Sequence, residues 1–414
     1  MLTPSLRISI ASAVIALGLP MCCVAASNIV QVNANGKSCL HKKVPVYTTI
    51  QEAVNAVASG GTVLVCPGSY PEQVTITQPL TLRGVQSGNR DAAVVIPPAT
   101  GLKVLQGTFT APQVFVNSIT AGPVTIENLT VDASHNLLGC GTLFEGVYFR
   151  DASGSVNHVA TRNQIATVGG KDCNTGFGIR VNGGTNVSVV VENSSARSYD
   201  QVGILAQLAF ATITIKNNSV SGPGPIKDVA TIGIWMLDGA TGLVSRNSIV
   251  NNSGLSAGGS AGILVQGTHG AQITGNTLGN NAYGIKFIPN PNFDADNGSA
   301  TQNTMLGSRI DGIYLCSNNN MVQGNTISAS AESGVNLACG ANNNTVTKNT
   351  VNEACAGILV DPSVSGNVTT PNSIFNATTV QLTGRSCSAA GQRRGNDRKG
   401  PVLKQSGSRV PFPD

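Results

Sequence analysis

Apolar and polar residues alternate with period two in short runs along most of the chain, as in ATITIKNNSV (211–220) and GILVQG (262–267). That period predicts strands with one buried face. The runs fall into two ladders. Gly followed by Ile or Val recurs at 146, 178, 203, 233, 262, 284, 312, 334 and 357, in steps of 22 to 32 residues. Behind it runs Asn, a small polar residue and an apolar one, starting at Asn218, Asn247, Asn276, Asn303, Asn325 and Asn349. Each repeat holds two or three strands of about four residues separated by Asn, Gly, Ser and Asp. The Leu framework of a leucine-rich repeat is missing, and a propeller blade needs about 40 residues. The spacing predicts an all-β chain, a single parallel β-helix of about 10–12 coils rising roughly 4.8 Å each. The recurrent Asn would sit inside the bends, bonding the backbone and the Asn of adjacent coils.

The pattern changes at both ends. TTIQEAVNAVASGG (48–61) places Thr48 and Gln51 at capping-box spacing, with Ile50, Val54 and Val57 on one helical face. A short helix there would cap the open N-terminal end of the solenoid. Residues 1–26 combine Arg7, an apolar run from Ile8 to Leu19 and small residues at Ala25 and Ala26. This is the pattern of a secretory signal cleaved after Ala26, and it predicts a secreted or periplasmic product. The run is too short to span a bilayer, and no later segment is long and apolar enough. Residues 388–414 lack periodicity and are rich in Gly, Ser, Pro and Arg, which predicts a flexible basic tail. The β-helix domain is therefore expected over 27–387.

With 11% charged residues, 4% aromatics and 48 Gly, the chain suits neither a disordered nor an all-helical protein. The formal charge of +5 comes from Arg7 and from six basic against two acidic side chains in 388–414. The body between is balanced, which argues against a nucleic-acid partner. Eight cysteines remain after the leader, an even number that predicts disulfides in an exported chain. Cys140 with Cys173, and Cys316 with Cys339, fall at nearly matching places on consecutive coils. Cys39 and Cys66 flank the capping helix. Cys355 and Cys387 then remain, with Cys339–Cys355 and Cys316–Cys387 as the rival arrangement.

The segments TIQEAVNAV, GGTVLVCPGSYPEQVTI and PLTLRG, followed by serial N-x-I and GI coils, resemble the pectin lyase-like right-handed parallel β-helix superfamily over about residues 45–380. The chain looks most like its exported bacterial β-helix repeat proteins, which include NosD-type periplasmic proteins. The resemblance implies a right-handed coil and a parallel sheet whose outer face, with its flanking loops, binds a polysaccharide and in some members cleaves or modifies it. Its alternative is a noncatalytic exported scaffold for protein contacts or NosD-like maturation.

Alternation puts the second and fourth residues after each Gly on the outer face. The second-position residues include Tyr148, Arg180, Trp235, Lys286 and Tyr314, and the fourth include Arg150 and Asn182. Aromatic faces stack on sugars, and Arg or Lys can neutralise uronate carboxylates. Tyr148, Asn182, Trp235, Lys286 and Tyr314 are therefore candidate substrate-binding residues. Arg150, Asp151, Arg180 and Asn182 are expected to cluster on adjacent coils, with Arg150, Asp151 and Arg180 as candidate catalytic groups. Lys286, Asp311 and Tyr314 form a second expected cluster. The Asp-Pro-His-Asp motif of alginate epimerases is absent, since Ser363 follows Asp361-Pro362. No resident cofactor or metal is expected. The one segment with hard oxygen ligands for Ca²⁺ is 289–299, with Asp294, Asp296 and Asn297 off the EF-hand spacing.

Overall fold

The computed structural model describes residues 27–384, apart from 41–42, 87–91, 120–121, 185, 208–210, 227–228 and 256–258. The expected leader (1–26), Cys387 and the expected tail (388–414) lie outside the described residues. The rest is a single right-handed parallel β-helix. Three sheets of 13, 12 and 12 strands run its length. Sheet A begins at Ile29–Val32 and Val46–Tyr47 and ends at Thr345–Thr347; sheet B runs from Gly68–Pro71 to Ser373–Phe375; sheet C runs from Val74–Ile76 to Thr379–Thr383. Within these sheets all pairing is parallel between successive coils, and the antiparallel pair described is the small hairpin Thr167–Val168 with Lys171–Asp172.

The glycine ladder sets the register of sheet C. Val147, Ile179, Ile204, Ile234, Ile263, Ile285, Ile313, Val335 and Ile358 are successive partners. All are buried, forming one inward stack. Glycine precedes each of them because sheets B and C meet there. A Cβ on Gly262 would come within 2.7 Å of Leu278 and 2.8 Å of the Gly284 carbonyl. Any larger residue would force the corner open.

The Asn ladder lines the bend between sheets A and B. Each Asn Oδ1 accepts the backbone N–H and the amide of the Asn one coil earlier. Asn247 thus donates to Asn276 at 3.0 and 2.9 Å, and Asn276 to Asn303 at 2.9 and 3.0 Å. Asn372 closes this file beyond Asn349. A second file runs through Asn320, Asn344 and Asn367: Asn344 donates its N–H and amide to Asn367, while Asn320 gives its N–H to Asn344 and its amide to Ser317.

The N-terminal helix α1 spans Ile50–Ala56 and buries Ile50, Ala53 and Val54 against the first coil. Its cap differs from the expected Thr48/Gln51 box. Thr49 is the N-cap and accepts from the Glu52 N–H, while Val57 is the C-cap. The Glu72 carboxylate, from the turn between strands Gly68–Pro71 and Val74–Ile76, accepts the N–H groups of Ile50 at 2.7 Å and Gln51 at 2.9 Å. Those free donors needed an acceptor, and a tertiary contact supplied it.

Three disulfides join Cys39–Cys66, Cys140–Cys173 and Cys316–Cys339, with Cα separations of 5.9, 4.9 and 5.1 Å. The last excludes the rival arrangement for Cys316 and Cys339. Cys355 is also disulfide-bonded.

Candidate functional site on the outer face of sheet C

The pairings place the expected outward residues in two straight files. Tyr148, Arg180, Leu205, Trp235, Leu264, Lys286, Tyr314, Asn336 and Leu359 are consecutive partners. Beside them run Arg150, Asn182, Gln207, Leu237, Gln266 and Ile288. This second file is half-exposed throughout. The first file is more closed than the alternation implied. Tyr148, Leu205 and Leu264 are buried, the latter two in an outer cluster with Phe177, Val202, Ile232 and Ala261. Trp235, Leu237, Tyr283 and Ile288 pack on that cluster. The expected open stripe is thus an apolar layer bordered by a half-open track of amides and aliphatic side chains.

Arg150, Asp151, Arg180 and Asn182 lie on adjacent coils, as expected, but their side chains turn to different partners. Arg150 turns back one coil, donating to Asn117 Oδ1 at 2.9 and 2.7 Å and lying 4.8 Å above the Phe115 ring. Asp151 accepts the Gly184 N–H at 3.1 Å. Asn182 hydrogen-bonds Tyr148. Arg180 forms a bond with Glu145 at 2.8 Å, donates to Gln207 at 3.1 Å and lies over the Tyr148 ring. The polar chain continues from Gln207 to Asp238 at 3.0 Å, and Asn290 reaches the same carboxylate at 2.6 Å.

Glu145 is the residue that sequence reasoning missed. It is fully buried, and burial pushes its carboxyl up to about 7 against the opposing pull of Arg180. Glu145 stands immediately before its Gly, in a column whose next members are Phe177, Val202, Ile232, Ala261 and Tyr283. An acid in an apolar column was the available signal. Asp311 holds the same place before Gly312 and is the second such acid. The folded state holds a proton on Glu145 that the unfolded chain releases near its ordinary value of 4.5. Between that value and about 7 this group's contribution to stability falls as pH rises. Glu145→Gln should therefore melt with a shallower decline than the parent from pH 5 to 8; equal slopes would show that the carboxyl does not titrate there.

The second expected cluster does assemble. The Lys286 ammonium lies 4.6 Å from the Tyr283 ring centroid and 5.3 Å from that of Tyr314. The two rings meet edge to face. Burial lowers the Lys286 pKa, with Asp311 opposing. Burial also raises the Asp311 carboxyl to about 6, against hydrogen bonds from Ser333 and from Asn336 at 3.0 Å. The Tyr314 hydroxyl lies 3.3 Å from Cys339 Sγ, so the Cys316–Cys339 bridge borders this cluster.

Glu145 and Asp311 are six coils apart, roughly 29 Å at the usual strand spacing. Glycoside hydrolysis needs two carboxyls about 5–10 Å apart, so these two cannot share one bond. In the 289–299 loop, Asp296 accepts the Asn318 N–H at 2.7 Å and Asn297 contacts His269 at 3.1 Å. Among the described residues, no three His, Cys, Asp or Glu side chains gather as a metal site.

The coil, sheets and outer-face files make the chain a right-handed parallel β-helix protein. Residues 114–293 match a family described as right-handed beta helix region, and residues 256–389 match one described as periplasmic copper-binding protein (NosD). Among solved structures, the Dettilon tailspike protein is similar at 16% identity and TM-score 0.63, covering 84% of this chain and 68% of its own. The GH136 lacto-N-biosidase of Eubacterium ramulus is similar at 13% identity and TM-score 0.57, over 86% of this chain and 67% of its own. The A-module of the Azotobacter vinelandii mannuronan C-5 epimerase AlgE4 is similar at 15% identity and TM-score 0.51, over 81% of this chain and 92% of its own. At these identities the likeness is one of fold. Among curated proteins, none matches the chain by sequence.

Proposed function

We propose that this is an exported β-helix protein that binds a polysaccharide along the outer face of sheet C. The observation that carries the reading is the half-open track of Asn182, Gln207, Leu237, Gln266 and Ile288, flanked by Trp235 and by the Lys286–Tyr283–Tyr314 cluster. Amides can pair with sugar hydroxyls, and aliphatic and aromatic groups can meet the C–H faces of the rings. The Trp235 indole N–H is buried and has no partner among the described residues, so it is the ring, packed on the outer apolar cluster, that Trp235 brings to this face. Solved β-helix proteins of similar fold include a phage tailspike in complex with a pentasaccharide. Export is supported by the disulfides, which persist in oxidising compartments. The secretory pattern of residues 1–26 points the same way.

A second reading, a noncatalytic periplasmic scaffold, draws on the NosD match over 256–389. Copper favours Cys, Met and His donors. Among the described residues there, Cys316 and Cys339 are joined, Cys355 is also disulfide-bonded, Met305 is in the core, Met321 is exposed and His269 contacts Asn297, and no metal cluster of His, Cys, Asp or Glu forms. A glycan-array screen of the purified protein tests the first reading. Saturable binding to at least one polysaccharide fragment is expected; no binding across the array would leave the scaffold reading in its place.

A further inference from the structure

We infer that the outer face of sheet C takes a neutral, hydroxyl-rich polysaccharide rather than a polyuronate. The inference rests on the glycan reading above and names its substrate class.

The first ground is how the cations are used. Sequence alternation gave this face Arg150, Arg180 and Lys286 as charges for an acidic sugar. Arg180 is bonded to Glu145, and their side chains are 11% and 0% exposed. Its other arm is held by Gln207. Arg150 spends two donors on Asn117 and lays its plane over Phe115. Lys286 is buried between two tyrosine rings with the Asp311 charge acting on it. A uronate would have to pull each cation away from partners it already has.

The second ground is the sign of the face. Against those three cations stand Glu145, Asp151, Asp238, Asp311 and Asp361, on or beside the same strands. With these groups ionised the face is net negative. A polyuronate brings one carboxylate per sugar along the whole track, and like charges in such an interface oppose binding.

The third ground is what the open file offers. Gln266 has an amide donor and acceptor with no partner among the described residues, the pairing a sugar hydroxyl satisfies, while Gln207 is held between Arg180 and Asp238 and borders the track. Leu237 and Ile288 alternate with them and suit the apolar faces of sugar rings. Strand spacing puts successive rungs roughly 4.8 Å apart, close to the advance of one sugar along an extended chain.

The test uses the full-length protein, whose one tryptophan, Trp235, lies on this face. Neutral oligosaccharides (β-glucan, xylan and galactomannan fragments) and oligogalacturonate or oligoalginate are titrated at pH 8. Binding is measured by calorimetry, with indole emission reporting contact at the face. The expected result is that a neutral oligosaccharide binds and shifts the emission. Its affinity should change less than about twofold between low and high salt, because uncharged ligands escape ionic screening. The polyuronates should bind at least about tenfold more weakly. A polyuronate binding as tightly as any neutral fragment, with affinity falling steeply in salt, would overturn the inference while leaving glycan binding intact. Absence of binding to any of the fragments would overturn both.

Discussion

Ile263→Asp is expected to abolish cooperative folding at ordinary temperature. Ile263 is fully buried and pairs in register with Ile234 below and Ile285 above. The carboxylate would lie inside a continuous apolar stack. The loss of a buried Ile and the burial of an unpaired charge together cost about 5 kcal/mol or more, at the scale of a whole domain's stability. Ile263→Val is the control. It removes one methylene and should cost about 1 kcal/mol. Thermal unfolding by circular dichroism checks both. A parent-like melting temperature for Ile263→Asp would mean that the inward register is wrong.

Asn276→Ala should be the next most damaging single change. Asn276 Oδ1 accepts the Asn247 N–H and amide, and its Nδ2 donates to the Val244 carbonyl at 2.9 Å and to Asn303. Alanine leaves a buried N–H and a buried carbonyl without partners. Each such group costs about 1–3 kcal/mol, so a loss of about 2–4 kcal/mol is expected. Denaturant unfolding should show a lower midpoint. Gln272→Ala, at an exposed site on sheet A, should move it by less than about 0.5 kcal/mol. Equal effects at the two positions would reduce the Asn file to a set of turn formers.

The coil was legible because its two requirements act on single residues. The B–C corner excludes a Cβ, so glycine recurs, and the apolar residue after it faces the core. The Asn file was legible for a similar reason, since one amide satisfies groups on two coils. Counting forward from each Gly therefore found the outward files correctly, from Tyr148 through Leu359. Counting forward could not find Glu145. It precedes the Gly, where the pairing passes from Glu145 and Phe177 to Val147 and Ile179 and alternation slips by one. The same blind spot made Arg180 look available for a ligand. Its partner, Glu145, lay on the far side of the slip. Arg150 was misjudged for a different reason: a long side chain can reach a neighbouring coil, and Asn117 and Phe115 were waiting there. The helix cap was displaced from Thr48 to Thr49 because Glu72, distant in sequence, supplies the acceptors that fix the first turn.

The central claim is that the half-open file on sheet C holds the glycan. Replacing Gln266 by Ala tests it most directly, since this side chain lies mid-track and half-exposed. Affinity is measured for the best fragment from the array, alongside the melting temperature. The account predicts a drop of about tenfold in affinity, equivalent to about 1.4 kcal/mol, with melting unchanged. Parent-like affinity for Gln266→Ala, on a variant that folds normally, would contradict it.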